Sequence, residues 1–158
     1  MKKILGFFVI LAIILVSVYV LKFSAKRDPK LVVVNVLDKN LYDDCHIKGS
    51  VSIPFEEVQD LANKLDKNDH IIFYCSNYMC TASGQAAKDF KKLGFKNVWA
   101  YEAGMAEWYQ QKLPVEGACK QAYLNAQMAK PQQDALEDGV EHITTADLHA
   151  KMKEMLNI

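Results

Sequence analysis

The groups with the most reactive chemistry lie together in Cys75-Ser76-Asn77-Tyr78-Met79-Cys80-Thr81. A run of apolar residues from His70 to Tyr74 leads directly into Cys75, and a helical pattern begins at residue 81. A cysteine at the carboxyl end of a buried strand stands where open α/β sheets bind ligands. The N–H groups of a short strand-to-helix loop, with the helix N-terminus, can converge on an anion. Here that anion would be the Cys75 thiolate or a persulfide on it, and the thiolate is the nucleophilic form of cysteine. Cys80 lies close enough along the loop to attack such a persulfide, release sulfide and leave a Cys75–Cys80 disulfide. Cys75, Met79 and Cys80 are also soft ligands suited to Cu(I), with Cys45 and His46 as further candidates. The inert alternative is a buried structural cysteine. On the residues alone, nucleophilic sulfur chemistry, thiol–disulfide exchange, metal carriage and a non-catalytic module all stay open.

The elements that must hold this loop follow from hydrophobic patterning. Leu31 to Leu37 (LVVVNVL) and His70 to Cys75 (HIIFYC) read as strands buried on both faces. Val51 to Pro54 and Asn97 to Tyr101 (NVWAY) are further strand candidates. Residues 55–65 carry Val58, Leu61, Ala62 and Leu65 on one helical face. Residues 81–93 carry Ala86, Ala87, Phe90 and Leu93 on another, with Gly94 as the C-terminal stop. Gly104 opens a helical segment through Trp108. Alternation of strand and helix predicts an α/β domain with a mostly parallel sheet.

The chain has 158 residues, with 19 basic and 19 acidic side chains. Zero net charge without a basic run excludes a nucleic-acid partner. Four cysteines are too few for a disulfide scaffold in a chain of this length. Residues 4–21 contain no charge, and as a helix they span about 27 Å, near the thickness of a bilayer core. This predicts an uncleaved transmembrane anchor, because small residues at a cleavage site are poorly placed, with a cleaved signal peptide as the alternative. The expected organisation is a tail at 1–3, an anchor at 4–21, a polar linker at 22–30, a domain at 31–117 and a helical tail at 118–158. The expected location is a bacterial inner membrane, with the soluble domain in the periplasm.

In the tail, Ala118 to Lys130 reads as a helix that Pro131 breaks. Thr144 or Thr145 caps a last helix with Leu148, Met152 and Met155 on one face. Cys119 reads as a buried or free thiol.

Four ordered blocks between residues 31 and 117 resemble the rhodanese-like (sulfurtransferase) family. They are Asn35-Val36-Leu37 followed by His46-Ile47-Lys48-Gly49-Ser50, the Cys75–Thr81 loop, Leu93-Gly94-Phe95-Lys96-Asn97-Val98, and Gly104-Met105-Ala106-Glu107-Trp108 with Leu113-Pro114-Val115. The resemblance implies a rhodanese-like α/β fold, an open and mostly parallel sheet flanked by helices, here preceded by one N-terminal transmembrane helix. It implies a sulfurtransferase in which Cys75 accepts a sulfane sulfur and passes it to another nucleophile. The loop amides around Ser76, Asn77, Tyr78, Met79 and Thr81 would hold the persulfide, with Cys80 as a resolving thiol. The partners implied are a small sulfur donor and a thiol acceptor, a thioredoxin-like protein being one candidate. No cofactor and no resident metal is expected.

The chain departs from the family pattern at several points. Cys80 takes the place of an arginine and Tyr78 that of a glycine. No Lys or Arg lies between Cys75 and Ala87, so a dianionic donor such as thiosulfate lacks a guanidinium partner. The same lack excludes a phosphatase. Asn35 stands for an aspartate and Leu41 for a glutamate, and His46 matches a structural histidine. His142-Ile143-Thr144-Thr145-Ala146-Asp147-Leu148 resembles the helix start that in the family precedes the first strand. The C-terminal helix is therefore expected to fold back into that slot.

Overall fold

The structure, a computed structural model, describes residues 27–127, 129–130 and 139–157. The anchor expected at 4–21 lies outside these residues. Among the described residues no helix is long and apolar enough to cross a membrane.

Three buried strands form the centre. β1 (Leu31–Asn35), β4 (His70–Tyr74) and β5 (Asn97–Tyr101) pair in parallel, in register from Leu31–His70 to Asn35–Tyr74 and from His70–Asn97 to Tyr74–Tyr101. β3 (Val51–Ser52) extends β1 on one side and β7 (Glu141–His142) extends β5 on the other, both parallel. The sheet order is β3-β1-β4-β5-β7. A small antiparallel pair, β2 (Cys45–Ile47) with β6 (Val115–Gly117), stands apart. Alternate side chains on β1 and β4 face opposite layers, as the pleat requires. Val34, Ile71, Phe73 and Cys75 enter one core, with Ala86, Ala87 and Phe90 from α3 (Ala82–Lys92). Leu31, Val33, Ile72 and Tyr74 enter the other, with Trp108 from α4 (Gly104–Gln110) and Leu148 and Met152 from α5 (Thr145–Leu156).

Several expectations change in detail. The helix expected over 55–65 is a 3-10 turn (Phe55–Glu57) followed by α2 (Val58–Leu61). Its last N–H groups, of Ala62 and Lys64, bond three residues back, which tightens and ends it. Val58 and Leu61 are still buried. α3 ends one residue before Leu93, which is 47% exposed and does not join the buried face. Gly94 terminates the helix at φ +86°, the left-handed conformation favoured at such a stop.

The larger correction concerns residues 118–130. The described part holds only a 3-10 turn, Ala122–Asn125, not a long helix. The end of α1 (Lys39–Asp44) lies against the start of this segment. The Asp44 carboxylate accepts the N–H groups of Lys120 and Gln121, and its carbonyl accepts that of Cys119. Cys119 stands at φ +52° and Gln121 is extended at φ −67° and ψ 137°, so the backbone leaves helical geometry here.

Beyond the undescribed segment, the chain returns to the sheet. Ile143 N–H bonds the Ala100 carbonyl beside β7, and the Thr144 hydroxyl accepts from Asp147 N–H as the N-cap of α5. Leu148 and Met152 are buried, while Met155 is partly buried in the same layer. The C-terminal helix thus packs back onto the layer that holds Leu31 and Val33.

Candidate functional site

Cys75 follows directly on β4 and is fully buried. Its carbonyl accepts the N–H of Met105, and the Ser76 carbonyl accepts that of Ala106. The first turn of α4 thereby clamps the loop from below. Asn77 is buried and makes a local turn: its side-chain oxygen accepts from Met79 N–H, and its carbonyl accepts from Cys80 N–H. The Tyr78 hydroxyl donates to Glu107 Oε2 at 2.9 Å. Met79 is 77% exposed at the tip, and Thr81 leads into α3 without capping it by its side chain.

The two thiols have opposite surroundings. Cys75 Sγ points at acceptors, the Cys80 carbonyl at 3.2 Å and the Asn77 carbonyl at 3.9 Å. It also contacts Ser83 Oγ at 3.4 Å, and that hydroxyl donates onward to Glu102 at 3.3 Å. Cys80 is only half-buried and its sulfur faces donors. Cys75, the N–H groups of Ala82 and Ser76, and the Ser76 hydroxyl all favour its charged form. Burial pushes the Cys75 thiol well up from its ordinary value, reinforced by its bond to Cys80. The hydrogen bond from Cys75 pulls Cys80 down, to about 6, outweighing its partial burial, and the Ala82 and Ser76 amides add to it. Of the amides expected to cradle a persulfide, those of Met79 and Cys80 already serve the loop's own turn.

The other two cysteines stand elsewhere. Cys45 and Cys119 form a disulfide across the β2–β6 end of the fold. This corrects two expectations: Cys45 does not approach the loop, and Cys119 is not a free thiol. The bond needs the register that brings Cys45 opposite Gly117, and nothing local in the sequence signals that pairing. His46 stacks on Tyr42 with ring centroids 3.8 Å apart, and its Nδ1 contacts the Tyr42 carbonyl. Its position is structural. Among the described residues no group of three or more His, Cys, Asp or Glu side chains is arranged to hold a metal ion.

One relevant group was missed from sequence. Glu107 gathers Tyr78 from the loop and Thr145 from the C-terminal helix on its two oxygens. Burial opposes its ionisation, but the Thr145 and Tyr78 hydroxyls and nearby Lys130 more than compensate and hold the carboxyl below its ordinary range.

Comparison with known proteins gives a consistent assignment. The rhodanese-like domain family matches residues 21–111. The chain is 36% identical over 93 residues to the putative sulfur carrier protein YrkF of Bacillus subtilis, covering 59% of this chain and 49% of that protein. It thus spans about half the length of that relative. It is 29% identical over 83 residues to the thiosulfate sulfurtransferase GlpE of Coxiella burnetii, covering 52% of this chain and 74% of that protein. Among solved structures, the BH2092 protein of Bacillus halodurans superposes with a TM-score of 0.53 at 28% identity, covering 77% of this chain and 85% of that one.

Proposed function

From the chain's membership of the rhodanese-like domain family, we propose that it moves sulfane sulfur through a persulfide on Cys75. The observation that carries this reading is the placement of Cys75: buried at the carboxyl end of the central strand, at the mouth of the loop that opens α3. The Cys75 thiolate attacks the outer sulfur of the donor, the donor's sulfur–sulfur bond breaks, and the donor leaves as a thiolate or sulfite. An acceptor thiolate then attacks the outer sulfur of the Cys75 persulfide and restores the Cys75 thiolate. The Ser83 N–H favours the charged form of Cys75, although burial prevails and holds the thiol up.

The donor class follows from the charge of the loop. Without a Lys or Arg from Cys75 to Ala87, a monoanionic polysulfide or persulfide suits the site better than dianionic thiosulfate. A thiol acceptor, including a thioredoxin-like protein, completes the cycle. A second reading, dithiol–disulfide exchange at Cys75 and Cys80 without added sulfur, is favoured by the 3.2 Å approach of the Cys75 sulfur to the Cys80 carbonyl oxygen.

The reading also includes a single-pass anchor at 4–21, with the domain on the periplasmic side of a bacterial inner membrane. The Cys45–Cys119 disulfide supports an oxidising compartment.

Intact-mass spectrometry tests the sulfur-transfer reading. Reduced protein is exposed to polysulfide, and the tryptic segment 68–88, which carries both Cys75 and Cys80, is mapped. Gain of one sulfur on Cys75 in the Cys80→Ser chain, absent when Cys75 is also replaced by serine, is the expected result. No sulfur on Cys75 in the Cys80→Ser chain, together with no sulfide released by the wild type, would overturn the reading.

A further inference from the structure

Two sulfurs in one loop with opposite surroundings imply a division of labour. Cys75 Sγ lies against the Asn77 and Cys80 carbonyls, which only accept hydrogen bonds and so favour its protonated form. Cys80 is the more accessible of the two, and the Ser76 and Ala82 donors beside it favour its anion. The Cys75 sulfur lies 3.2 Å from the Cys80 carbonyl oxygen, so the two cysteines are packed against each other in one loop. A sulfurtransferase that only relays sulfur needs no second thiol within reach of its persulfide, because that thiol destroys the intermediate.

We infer that the site is a reductive one, in which Cys80 acts as proton acceptor for Cys75 and then as the resolving thiol that releases the sulfur as hydrogen sulfide. This rests on the reading of Cys75 as the sulfur acceptor. In the first step the Cys80 thiolate takes the Cys75 proton while Cys75 attacks a monoanionic persulfide donor. The donor's sulfur–sulfur bond breaks, its thiolate leaves, and the products are the Cys75 persulfide anion and a Cys80 thiol. In the second step Cys80 bonds to the inner sulfur, Cys75 Sγ. The persulfide's sulfur–sulfur bond breaks and hydrosulfide departs with the Cys80 proton. Sulfane sulfur has been reduced to sulfide, and the two thiols have been oxidised to a Cys75–Cys80 disulfide. A dithiol reductant, by exchange, returns both thiols and completes the cycle.

The test uses the full chain with its loop thiols reduced, a single equivalent of glutathione persulfide, and no added thiol. The wild-type chain is expected to release stoichiometric sulfide and yield a segment 68–88 lighter by two hydrogens. Cys80→Ser is expected to take up the sulfur, hold it on Cys75, and release at least about tenfold less sulfide. Cys80→Ala serves in its place if the serine variant fails to show the wild-type melting transition. Wild type holding a stable persulfide and releasing no more sulfide than Cys80→Ser would overturn the inference and leave Cys75 sulfur transfer standing. Absence of sulfur on Cys75 in both proteins would overturn the sulfur-transfer reading itself.

Discussion

Gly104 lies directly beneath Cys75: a Cβ on Gly104 would stand 2.7 Å from the Cys75 carbonyl oxygen and equally close to Asn77 N. Both neighbours are backbone and cannot swing aside. Gly104 also has φ +62°, where a side chain is strained. Gly104→Ala must therefore lift the loop off α4 and break the bonds from Met105 and Ala106 N–H to the Cys75 and Ser76 carbonyls. A loss of about 2–3 kcal/mol is expected, read as a lower urea midpoint. Slower uptake of polysulfide sulfur should accompany it.

Reactivity at the loop should follow Cys80 across neutral pH. Its thiol titrates at about 6, against an ordinary value of 9.0, because Cys75 and the Ala82 and Ser76 amides stabilise the anion. Alkylation of Cys80 by iodoacetamide should rise as pH climbs through about 6 and level off above it. In Cys75→Ala the strongest stabilising bond is gone, so the midpoint should move upward toward the ordinary value. The linked stability has a definite sign. A depressed thiol contributes stability above its unfolded value and loses it as pH falls through the folded one. An unchanged midpoint in Cys75→Ala would show that the amides alone set the Cys80 charge.

The Cys45–Cys119 disulfide closes a separation of 74 residues. Chain-entropy arguments assign such a loop about 4 kcal/mol. Cys119→Ala should lose stability of that order in urea, and dithiothreitol should impose the same loss on the wild type. The Asp44 contacts to Cys119, Lys120 and Gln121 do not need the sulfurs. The variant should therefore keep the fold and the Cys80 alkylation profile.

The parts of the fold legible in sequence are those specified by nearby residues. LVVVN, HIIFY and NVWAY are apolar on both faces because each strand lies between two layers, and they became β1, β4 and β5. Gly94 ended α3 as its type predicts. The 118–130 segment misled because its composition favours helix, while Cys119, tied to Cys45 more than seventy residues earlier, takes a left-handed conformation and Gln121 an extended one. The disulfide was illegible for the same reason: the short β2–β6 pairing that aligns Cys45 has no local signature. At the site, the position of Cys75 was legible from the strand leading to it. Which sulfur the amides face was not, because the turn made by Asn77 decides it.

The C-terminal helix should be felt at the loop through Thr145. Its hydroxyl donates to Glu107 Oε1 at 2.7 Å and lies 2.9 Å from the Tyr101 hydroxyl, which donates to it. Glu107 holds Tyr78 on its other oxygen. Thr145→Ala leaves Tyr101 and one Glu107 oxygen without these partners in a mostly buried setting, at a cost of about 1–3 kcal/mol. The penalty should depend on pH. Burial opposes the Glu107 charge, but the Thr145 and Tyr78 bonds prevail and hold its carboxyl below the ordinary 4.5. A depressed carboxyl contributes stability above its unfolded value and loses it as pH falls through the folded one. The urea midpoints of wild type and Thr145→Ala should accordingly differ at pH 7 and converge in acid. Leu148→Ala supplies the contrast. It removes buried apolar contact from the same helix without touching Glu107, so its loss of about 2–5 kcal/mol should persist in acid. Equal behaviour of the two variants across pH would show that the helix supports the loop by packing alone.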